Sequence, residues 1–329
     1  MKNTDIIKPI FCITDNNKKI MSEIENKLNL IVIDNNAKKR NLRIKSKVRS
    51  IHSSLAIEAN SLSLESVESI IDNKLVLGDR KEIQEVKNAN ELYEHIIEYD
   101  WKSELDFLKA HTLMMKYFDD DNGYYRNHGE GVKRGNEVIY SAPESILVPS
   151  LMKSLFQFMT DNENEIHPLI LSCIFHYYFV YIHPFSDGNG RIARFWVSLI
   201  LTKWNPKFEY IPIEEEIYLN QQKYYDSIAQ CHVNGNVNVF IDFMLMCINS
   251  LLEKITQKTT QKTTQKIKLN NNQLKIIELI KENPKITINE LSKKLNITSD
   301  GVKYNLKKLV DNKIIERIGP DNGGYWKIR

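Results

Sequence analysis

The stretch His183-Pro-Phe-Ser-Asp-Gly-Asn-Gly-Arg-Ile-Ala-Arg194 brings together an imidazole, a carboxylate, a Gly-Asn-Gly turn and two guanidinium groups. Apolar runs of helical length precede it (Leu169 to Ile182) and follow it (Ile192 to Leu201). The glycines are therefore predicted to form a loop that opens onto a helix N-terminus, where backbone N–H groups and the positive end of the helix dipole attract phosphate. Together these are the groups needed to transfer a phosphorus-centred group.

Two side chains of this stretch can carry chemistry. His183 lies just before Pro184, where a helix is expected to end, and its imidazole titrates near neutrality and could take a proton from a hydroxyl group. Asp187 could bind Mg²⁺ or cap the following helix, and the two roles are compatible. Phe185 is expected to be a hydrophobic anchor, and His176, inside an aromatic run, a core histidine with a hydrogen-bond partner.

The remaining motif residues are suited to phosphate. Gly188 and Gly190 let the backbone approach a phosphate without a Cβ in the way, and Asn189 adds a side-chain amide. Arg191 and Arg194 are three residues apart, so they share a helix face and could bind successive phosphates. The alternative for either arginine is an ordinary surface ion pair.

The same residues resemble the signature of the Fic family. That signature reads His-Pro-Phe, two variable residues of which the second is acidic, Gly-Asn-Gly-Arg, two variable residues and Arg, and every fixed position is present. The Gly-Lys-Ser/Thr end of the rival phosphate-binding loop does not occur in the chain. The resemblance implies a mainly α protein, a Fic-like helical bundle with a small β-hairpin flap. It also implies an enzyme that uses ATP and Mg²⁺ to attach AMP to a Ser, Thr or Tyr hydroxyl of a target protein.

The resemblance also assigns roles to residues. It implies that His183 deprotonates the target hydroxyl, that Asp187 holds the metal, that Arg191 orients the phosphates and that Arg194 binds the γ-phosphate. The residues that it implies for binding ATP and its phosphates are Asp187, Gly188, Asn189, Gly190, Arg191, Ile192, Ala193, Arg194, Tyr224 and Tyr225.

Two further segments match features of the family. The segment from Gly135 to Pro143 is similar to the hairpin flap that holds a target strand beside the active site, and an ordinary surface hairpin is the alternative. The flap residues are Gly135, Asn136, Glu137 and Val138. Tyr224 and Tyr225 resemble paired tyrosines near adenine, although half-buried packing explains them equally well. His232 stands where some relatives carry an amide, and its role stays open.

A third segment, Ser54-Leu-Ala-Ile-Glu58-Ala-Asn60, resembles the inhibitory helix of many Fic proteins. In those proteins the glutamate pairs with the second arginine of the motif and displaces the γ-phosphate. The resemblance therefore implies that Glu58 competes with ATP for Arg194. Ala59 departs from the usual Gly or Asn, and Ala keeps that residue small. The alternative is a helix N-cap at Ser54 with an exposed Glu58.

Composition bounds the class of protein. A chain of 329 residues with 42% hydrophobic residues is long enough for two domains with real cores. Its four cysteines show no Cys-x-x-Cys spacing, so neither a disulfide framework nor structural zinc is expected. The N-terminus leads into no secretory signal and the longest apolar stretch is too short to span a membrane, so we expect a cytoplasmic protein without membrane contact.

Pattern changes along the chain divide it into four parts. Residues 1–40 are expected to form an N-terminal arm, irregular or with a short strand at Leu30–Ile33. Residues 41–254 show helical periodicity and would form the Fic-like catalytic domain, including the inhibitory helix near 54–60. Residues 255–267 hold a polar Thr-Gln-Lys repeat, which is a linker or a frayed helical extension.

Residues 268–329 resemble a winged helix-turn-helix domain. The pattern predicts helices at Asn272–Asn283, Asn289–Leu295 and Asp300–Asn312, a short strand at Ile286–Ile288, and a two-stranded wing around Gly319–Gly324. Thirteen Lys and Arg against seven Asp and Glu give this part a net charge of +6, whereas the whole chain carries +3.

In that fold the third helix enters the major groove of DNA. Three residues on its outer face are therefore candidates for DNA contact: Ser299, Lys303 and Lys307. Asp300 is unfavourable near phosphate unless it caps the helix. A dimerisation or protein-docking module is the alternative, because such lysine faces are often only solvated.

Two other functions fit the same sequence. The site could remove AMP or transfer another phosphate-containing group, since the same residues serve those reactions. Alternatively, the protein could be a DNA-binding regulator whose Fic-like part mainly senses nucleotide. The oligomeric state, monomer or homodimer, stays open.

Overall fold

The computed structural model describes residues 8–31, 36–118, 121–134, 137–266, 269–312, 314–320 and 323–328. Side chains are described over the same ranges except 36–38, 132–134, 137–139 and 258–266. The chain divides into two compact units, Met1–Thr256 and Gln257–Arg329.

The first unit is almost entirely helical. Its α-helices are α1 (Asp15–Leu30), α2 (Asn36–Ile57), α3 (Leu64–Ile71), α4 (Arg80–Glu94), α5 (Glu104–Met114), α6 (Val148–Asp161), α7 (Pro168–Ile182), α8 (Asn189–Trp204), α9 (Ile213–Leu219), α10 (Gln221–Asn234) and α11 (Asn238–Lys266), whose residues beyond Thr256 belong to the second unit. Short 3₁₀ helices occur at Ile96–Glu98, Ser145–Leu147 and Pro206–Tyr210.

Helix α1 differs from the expectation of an irregular or short-strand arm. Thr14 caps it through a reciprocal pair of bonds with Asn17, which satisfies two N–H groups at the helix start. Ile24 and Leu28, four residues apart, are wholly buried against the first unit. The helix takes in Leu30, and Val32 and Ile33 of the expected strand Leu30–Ile33 lie outside the described residues.

Helices α7 and α8 form the centre of the first unit. Twelve of the fifteen residues of α7 and twelve of the sixteen of α8 are buried, and the two helices pack against each other. A helix that is apolar on all sides belongs in a core. The signature stretch His183–Arg194 thus connects two buried helices and is held from both ends.

A two-stranded antiparallel hairpin follows α5, with β1 at Gly131–Arg134 and β2 at Glu137–Ser141. Gly131 pairs with Ser141, and the register shifts between Val132 and Lys133. The prediction of a mainly α fold with a small β-hairpin is confirmed. Of the expected flap residues, Glu137 and Val138 lie at the start of β2, while Gly135 and Asn136 lie outside the described residues.

The second unit is a winged-helix region, as predicted. It contains α12 (Asn271–Glu282), α13 (Ile288–Leu295), α14 (Ser299–Asp311), and a wing of β3 (Ile315–Ile318) paired antiparallel with β4 (Tyr325–Ile328). Its separate core consists of Ile276, Ile280, Ile286, Leu291, Val302, Leu306, Leu309 and Ile315.

The strand expected at Ile286–Ile288 was predicted wrongly. Within the described residues no ladder forms there, and one backbone bond, from Trp326 N to Pro284 O at 2.7 Å, connects this segment with β4. Ile286 is apolar because it belongs to the small core. The Thr-Gln-Lys segment has helical backbone as far as Lys266, at the end of α11. No helix among the described residues is long and apolar enough to cross a membrane.

Candidate active site

His183 ends α7 in a left-handed conformation, with φ 50° and ψ 60°. Pro184 follows it, and a residue before proline is disfavoured in the right-handed helix, so the helix stops here. Burial lowers the pKa of His183; nearby Glu130 raises it and Arg126 lowers it, and the net pKa lies below the ordinary value. The imidazole is therefore neutral at neutral pH and able to accept a proton. Its Nδ1 is buried without a hydrogen-bond partner among the described residues.

The loop after His183 is closed by Asn189. The Asn189 side chain accepts from Phe185 N at 3.1 Å and donates to Phe185 O at 2.8 Å, so its amide holds the loop instead of pointing to phosphate. Phe185 is wholly buried, as expected of an anchor, and stacks on His111 with ring centroids 3.6 Å apart. The buried Phe185 ring thus anchors the motif in the core.

The start of α8 has the geometry of an anion-binding site. Gly188 has φ +80°, and a Cβ there would lie 2.7 Å from Met115 Sδ, so glycine is required on both counts. The first helical bond runs from Ile192 N to Gly188 O at 3.0 Å, which leaves the preceding N–H groups, including that of Gly190, without an intrahelical acceptor. The side chains of Ile192 and Ala193 are wholly buried in the core.

Asp187 is 57% exposed and held by two donors. Its Oδ1 accepts from Gly188 N at 2.6 Å and from the Arg191 guanidinium at 2.8 Å. Burial alone would raise the pKa of Asp187, but Arg191 and these hydrogen bonds outweigh it and the net pKa is lowered. An ionised, accessible carboxylate fits a divalent cation. The helix N-cap residue is Gly188, so the alternative of an Asp187 cap is not what the structure has.

Arg191 lies between two carboxylates. It donates to Asp187 and, at 3.2 Å, to Glu85 of α4, and its own side chain is only 4% exposed. Glu85 in turn accepts from the side chain of Asn60 at 2.8 Å. The first arginine of the motif is therefore connected, through Glu85, to the segment that follows α2.

Arg194 is bound by the end of α2, as the resemblance implied. It donates to Ser54 Oγ at 3.0 Å, to Ser54 O at 2.8 Å and to Glu58 Oε1 at 2.7 Å. Burial alone would lower the pKa of Arg194, but Glu58 outweighs it and raises it. Ser54 lies inside the last turns of α2, so the N-cap alternative for Ser54 is wrong.

Glu58 lies over the first turn of α8. A Cβ built on Gly190 would overlap Glu58 Oε1, which shows how closely the carboxylate approaches the backbone there. Ala59, the next residue, has φ +67°. Gly and Asn adopt that left-handed conformation more readily than Ala, so the turn places strain on Ala59.

The two tyrosines of α10 have different environments. Tyr224 is 2% exposed and its hydroxyl lies 2.9 Å from His176 Nε2, so both residues belong to the core and the prediction for His176 is confirmed. A buried ring offers no free face to a base. Tyr225 is 42% exposed, and its hydroxyl donates to Ile57 O at 3.3 Å, next to Glu58. Of the pair, Tyr225 is the one with an exposed ring.

His232 packs behind the hairpin. Its ring stacks on Tyr140 of β2 with centroids 4.2 Å apart, and its Nδ1 lies 3.1 Å from the Tyr177 hydroxyl. Burial lowers the pKa of His232 to about 4. It is therefore a neutral packing partner of the hairpin.

Sequence reasoning missed three residues at this site. Arg126 donates to His183 O at 2.7 Å, His111 Nε2 lies 2.9 Å from Asp187 O, and Glu85 pairs with Arg191. Two of the three contact backbone carbonyls, which carry no sequence signal. Glu85 stands on an ordinary polar helix face, so nothing local distinguishes it.

Comparison with known proteins finds similar sequences for parts of both units. A sequence profile described as "Fic/DOC family" matches residues 101–201, and one described as "Winged helix-turn-helix DNA-binding" matches residues 269–316. The chain is 28% identical over 206 residues to "Protein adenylyltransferase Fic" of Nematostella vectensis and 26% identical over 234 residues to the protein of the same name from Drosophila erecta. These alignments cover 60% and 67% of the chain but 46% and 44% of those proteins, so the chain spans less than half of their length.

Two solved structures are also similar. The crystal structure of a Fic family protein from Desulfovibrio desulfuricans is 32% identical, covers 98% of both chains and has a TM-score of 0.71. A Fic domain containing signaling protein from Bacteroides thetaiotaomicron is 21% identical with a TM-score of 0.60, over 73% of this chain and 96% of that one. The second likeness concerns the fold alone.

Proposed function

This chain belongs to the Fic family, and on that premise we propose that it transfers AMP from ATP to a Ser, Thr or Tyr hydroxyl of a target protein. The observation that carries the proposal is the junction of α7 and α8, where one loop holds a neutral imidazole, an ionised carboxylate and a helix N-terminus with two arginines. The adenylyltransferase names of the relatives support it.

The proposed reaction uses each of these groups once. His183 takes the proton of the target hydroxyl, whose oxygen attacks the α-phosphorus of ATP while the bond to the pyrophosphate oxygen breaks. The N–H groups at the start of α8 and the Arg191 guanidinium stabilise the charge on the departing pyrophosphate. The imidazolium then releases its proton to solvent. The lowered pKa of His183 keeps it ready as a base.

Asp187 is the residue that would hold Mg²⁺. A protein usually binds this ion through one or two carboxylates, with phosphate oxygens and water completing the coordination. The exposed, ionised Asp187 meets that description. The ion would supply charge neutralisation on the phosphates.

We further propose that Glu58 inhibits the enzyme in this state. Its carboxylate occupies Arg194 and lies over the N-terminal turn of α8, so a γ-phosphate bound to Arg194 would have to displace it. Two anions cannot share one buried guanidinium without strong repulsion. Ser54 carries no charge that would repel the γ-phosphate, so its bonds to Arg194 would remain in place.

The test uses three proteins and two labels. Wild type, Glu58→Gly and His183→Ala are incubated with Mg²⁺, cell extract and ATP labelled with ³²P at either the α or the γ position. Relative to extract alone, we expect strong added α-label on protein only with Glu58→Gly, weak label with wild type and none with His183→Ala, and no added γ-label. Equal α-label in all three would remove the enzymatic proposal. Protein that carries the γ-label instead would point to phosphoryl transfer.

The same samples address AMP removal. Target labelled by Glu58→Gly is repurified and incubated with wild-type protein without ATP. Loss of label that depends on Glu58 and His183 would favour removal as the reaction of the wild type. Stable label would favour transfer.

A second function, DNA binding, is proposed for the second unit. Lys303 and Lys307 are exposed on α14, and Ser299 begins this helix after the Thr298 cap. Asp300 lies 3.3 Å from Lys303, which partly neutralises that lysine. The net charge of +6 on residues 268–329 and the winged-helix match at residues 269–316 support binding to phosphate. Binding of the full chain to a mixed-sequence duplex should weaken steeply as salt rises. No binding at low salt would favour a protein-docking role.

A further inference from the structure

Arg126 is a buried arginine whose guanidinium bonds to backbone carbonyls. It is 4% exposed and lies between α5 and β1. Its Nε donates to His183 O at 2.7 Å, its NH2 group lies 3.3 Å from Ile182 O, and its backbone N–H donates to Pro184 O at 2.8 Å. One residue thus binds three consecutive carbonyls at the point where α7 ends and the base is placed.

The same guanidinium also binds both flanks of the hairpin. NH1 donates to His128 O at 2.6 Å, just before β1, and NH2 donates to Pro143 O at 2.6 Å, just after β2. Only arginine carries five N–H donors in one planar fork, so a lysine could not make these bonds together.

A hairpin residue extends this contact by one carbonyl. The Tyr140 hydroxyl of β2 donates to Tyr181 O at 2.7 Å. Arg126 and Tyr140 therefore bond to the carbonyls of residues 181–184, which include the last carbonyls of α7 that a helix end leaves without intrahelical partners.

We propose that Arg126 is a positioning residue that couples the hairpin to His183, so that the strand which receives the target also sets the position of the base. This inference rests on the proposed function. The backbone of His183 is left-handed, a conformation that costs a residue other than glycine about 1 kcal/mol and that persists only under restraint. The bond from Arg126 to the His183 carbonyl is the restraint, and it is shared with the hairpin.

The charge of Arg126 has a separate effect. As a neighbouring cation it disfavours the protonated imidazole and contributes to the lowered pKa of His183. Position and charge can therefore be separated by two substitutions. Arg126→Lys keeps the charge and loses the fork, whereas Arg126→Gln loses both.

The experiment measures rate and titration in the Glu58→Gly background. The rate of AMP transfer at saturating ATP is expected to fall about 100-fold in Arg126→Lys and Arg126→Gln, as for a base displaced by about 1 Å. The ATP concentration for half-maximal rate should stay within about threefold, because the phosphate site is intact. His183 is titrated by NMR, with its resonance assigned by its loss in His183→Ala. Its pKa should rise in Arg126→Gln and stay near that of the parent in Arg126→Lys.

A matched control is Lys207→Ala. Lys207 Nζ donates to Leu28 O at 2.6 Å, so this change also removes a cation from a helix C-terminus, that of α1. It should leave the rate and the titration unchanged. Tyr140→Phe, which removes a single hydroxyl, tests the hairpin side even if an Arg126 variant does not fold, and should lower the rate at least about threefold.

Several results would overturn the inference. The inference fails if Arg126→Lys and Tyr140→Phe transfer AMP at the rate of the parent. It also fails if Lys207→Ala loses as much rate as the Arg126 variants. If Glu58→Gly itself transfers no AMP, the proposed function fails, and the NMR resonance of the His183 ring then decides about Arg126. A His183 chemical shift in Arg126→Lys equal to that of the parent would reject the positioning role, because this variant keeps the charge and loses the fork, and a displaced resonance would support it.

Discussion

Substitution of Glu58 should strengthen ATP binding by an amount that follows from its contact with Arg194. The bond between Glu58 Oε1 and the guanidinium is 2.7 Å long, and Arg194 is 1% exposed. A hydrogen bond to a charged group contributes about 1.5–3 kcal/mol. Because Glu58 is 36% exposed, solvent screens the pair and the lower end, about 1.5–2 kcal/mol, applies. Under the proposed inhibition, ATP must displace this contact before it reaches Arg194.

At 1.4 kcal/mol per tenfold, that contact weakens ATP binding by about 10- to 30-fold. Glu58→Gly should lower the Kd for ATP by this factor. Glu58→Gln keeps the size and the acceptor but not the charge, and should give about half of the free-energy gain, about three- to fivefold. Isothermal titration with ATP and Mg²⁺ in the His183→Ala background measures binding without turnover.

Thermal unfolding tests the same contact, because the loss of Glu58 should destabilise the protein without ATP while it strengthens ATP binding. Without ATP, Glu58→Gly leaves the buried Arg194 without its carboxylate, so Tm should fall. With saturating ATP the variant should gain more in Tm than the wild type, because binding stabilises the folded state in proportion to affinity. A Kd within twofold of the wild type in both variants would refute the competition between Glu58 and ATP.

Three further outcomes follow. Ala59→Gly should raise Tm by about 2–4 °C, because it removes about 1 kcal/mol of left-handed strain. Gly235→Ala is the reverse change at a position with φ +65° and open space around it, and it should lower Tm by a similar amount in the same scan. Burial lowers the pKa of His176 to about 3, so protons prefer the unfolded chain and stability is lost as pH falls from about 6.5 towards 3. In urea unfolding across that range, His176→Phe should flatten the loss by about 1.4 kcal/mol per pH unit, and an unchanged slope would contradict this. DNA affinity is measured over a series of salt concentrations. Replacing Lys303 and Lys307 with Gln should lower the slope of log affinity against log salt by the equivalent of about two phosphate contacts, whereas an unchanged slope would exclude α14 as the contact.

The parts of the site that lie close in sequence could be predicted well. From His183 to Arg194 the chain dictates a helix end, a glycine turn and a helix start, so the base and the phosphate-binding groups are close by local geometry alone. The contact between Glu58 and Arg194 spans 136 residues. No periodicity connects such positions, and only the resemblance to a family suggested the pair.

The errors have physical causes. Asn189 was expected to face phosphate, but a buried amide is better satisfied by the backbone of Phe185, which closes the loop. Helix α1 was missed although Ile20, Ile24 and Leu28 have helical spacing, because the surrounding residues are polar and the apolar run at its end suggested a strand. Arg126 could not be found from sequence, since its partners are carbonyls.

The closeness of Glu58 to Gly190 limits which substitutions could release the proposed inhibition. Any side chain at position 190 would push the carboxylate aside and would also crowd the Arg194 guanidinium, where the γ-phosphate is proposed to bind. Variants at Gly190 should therefore lose the proposed inhibition by Glu58 and lose activity at the same time. Constitutively active forms must arise on the α2 side, at Glu58 or in the turn that carries it, where the anion can leave and the cradle stays open.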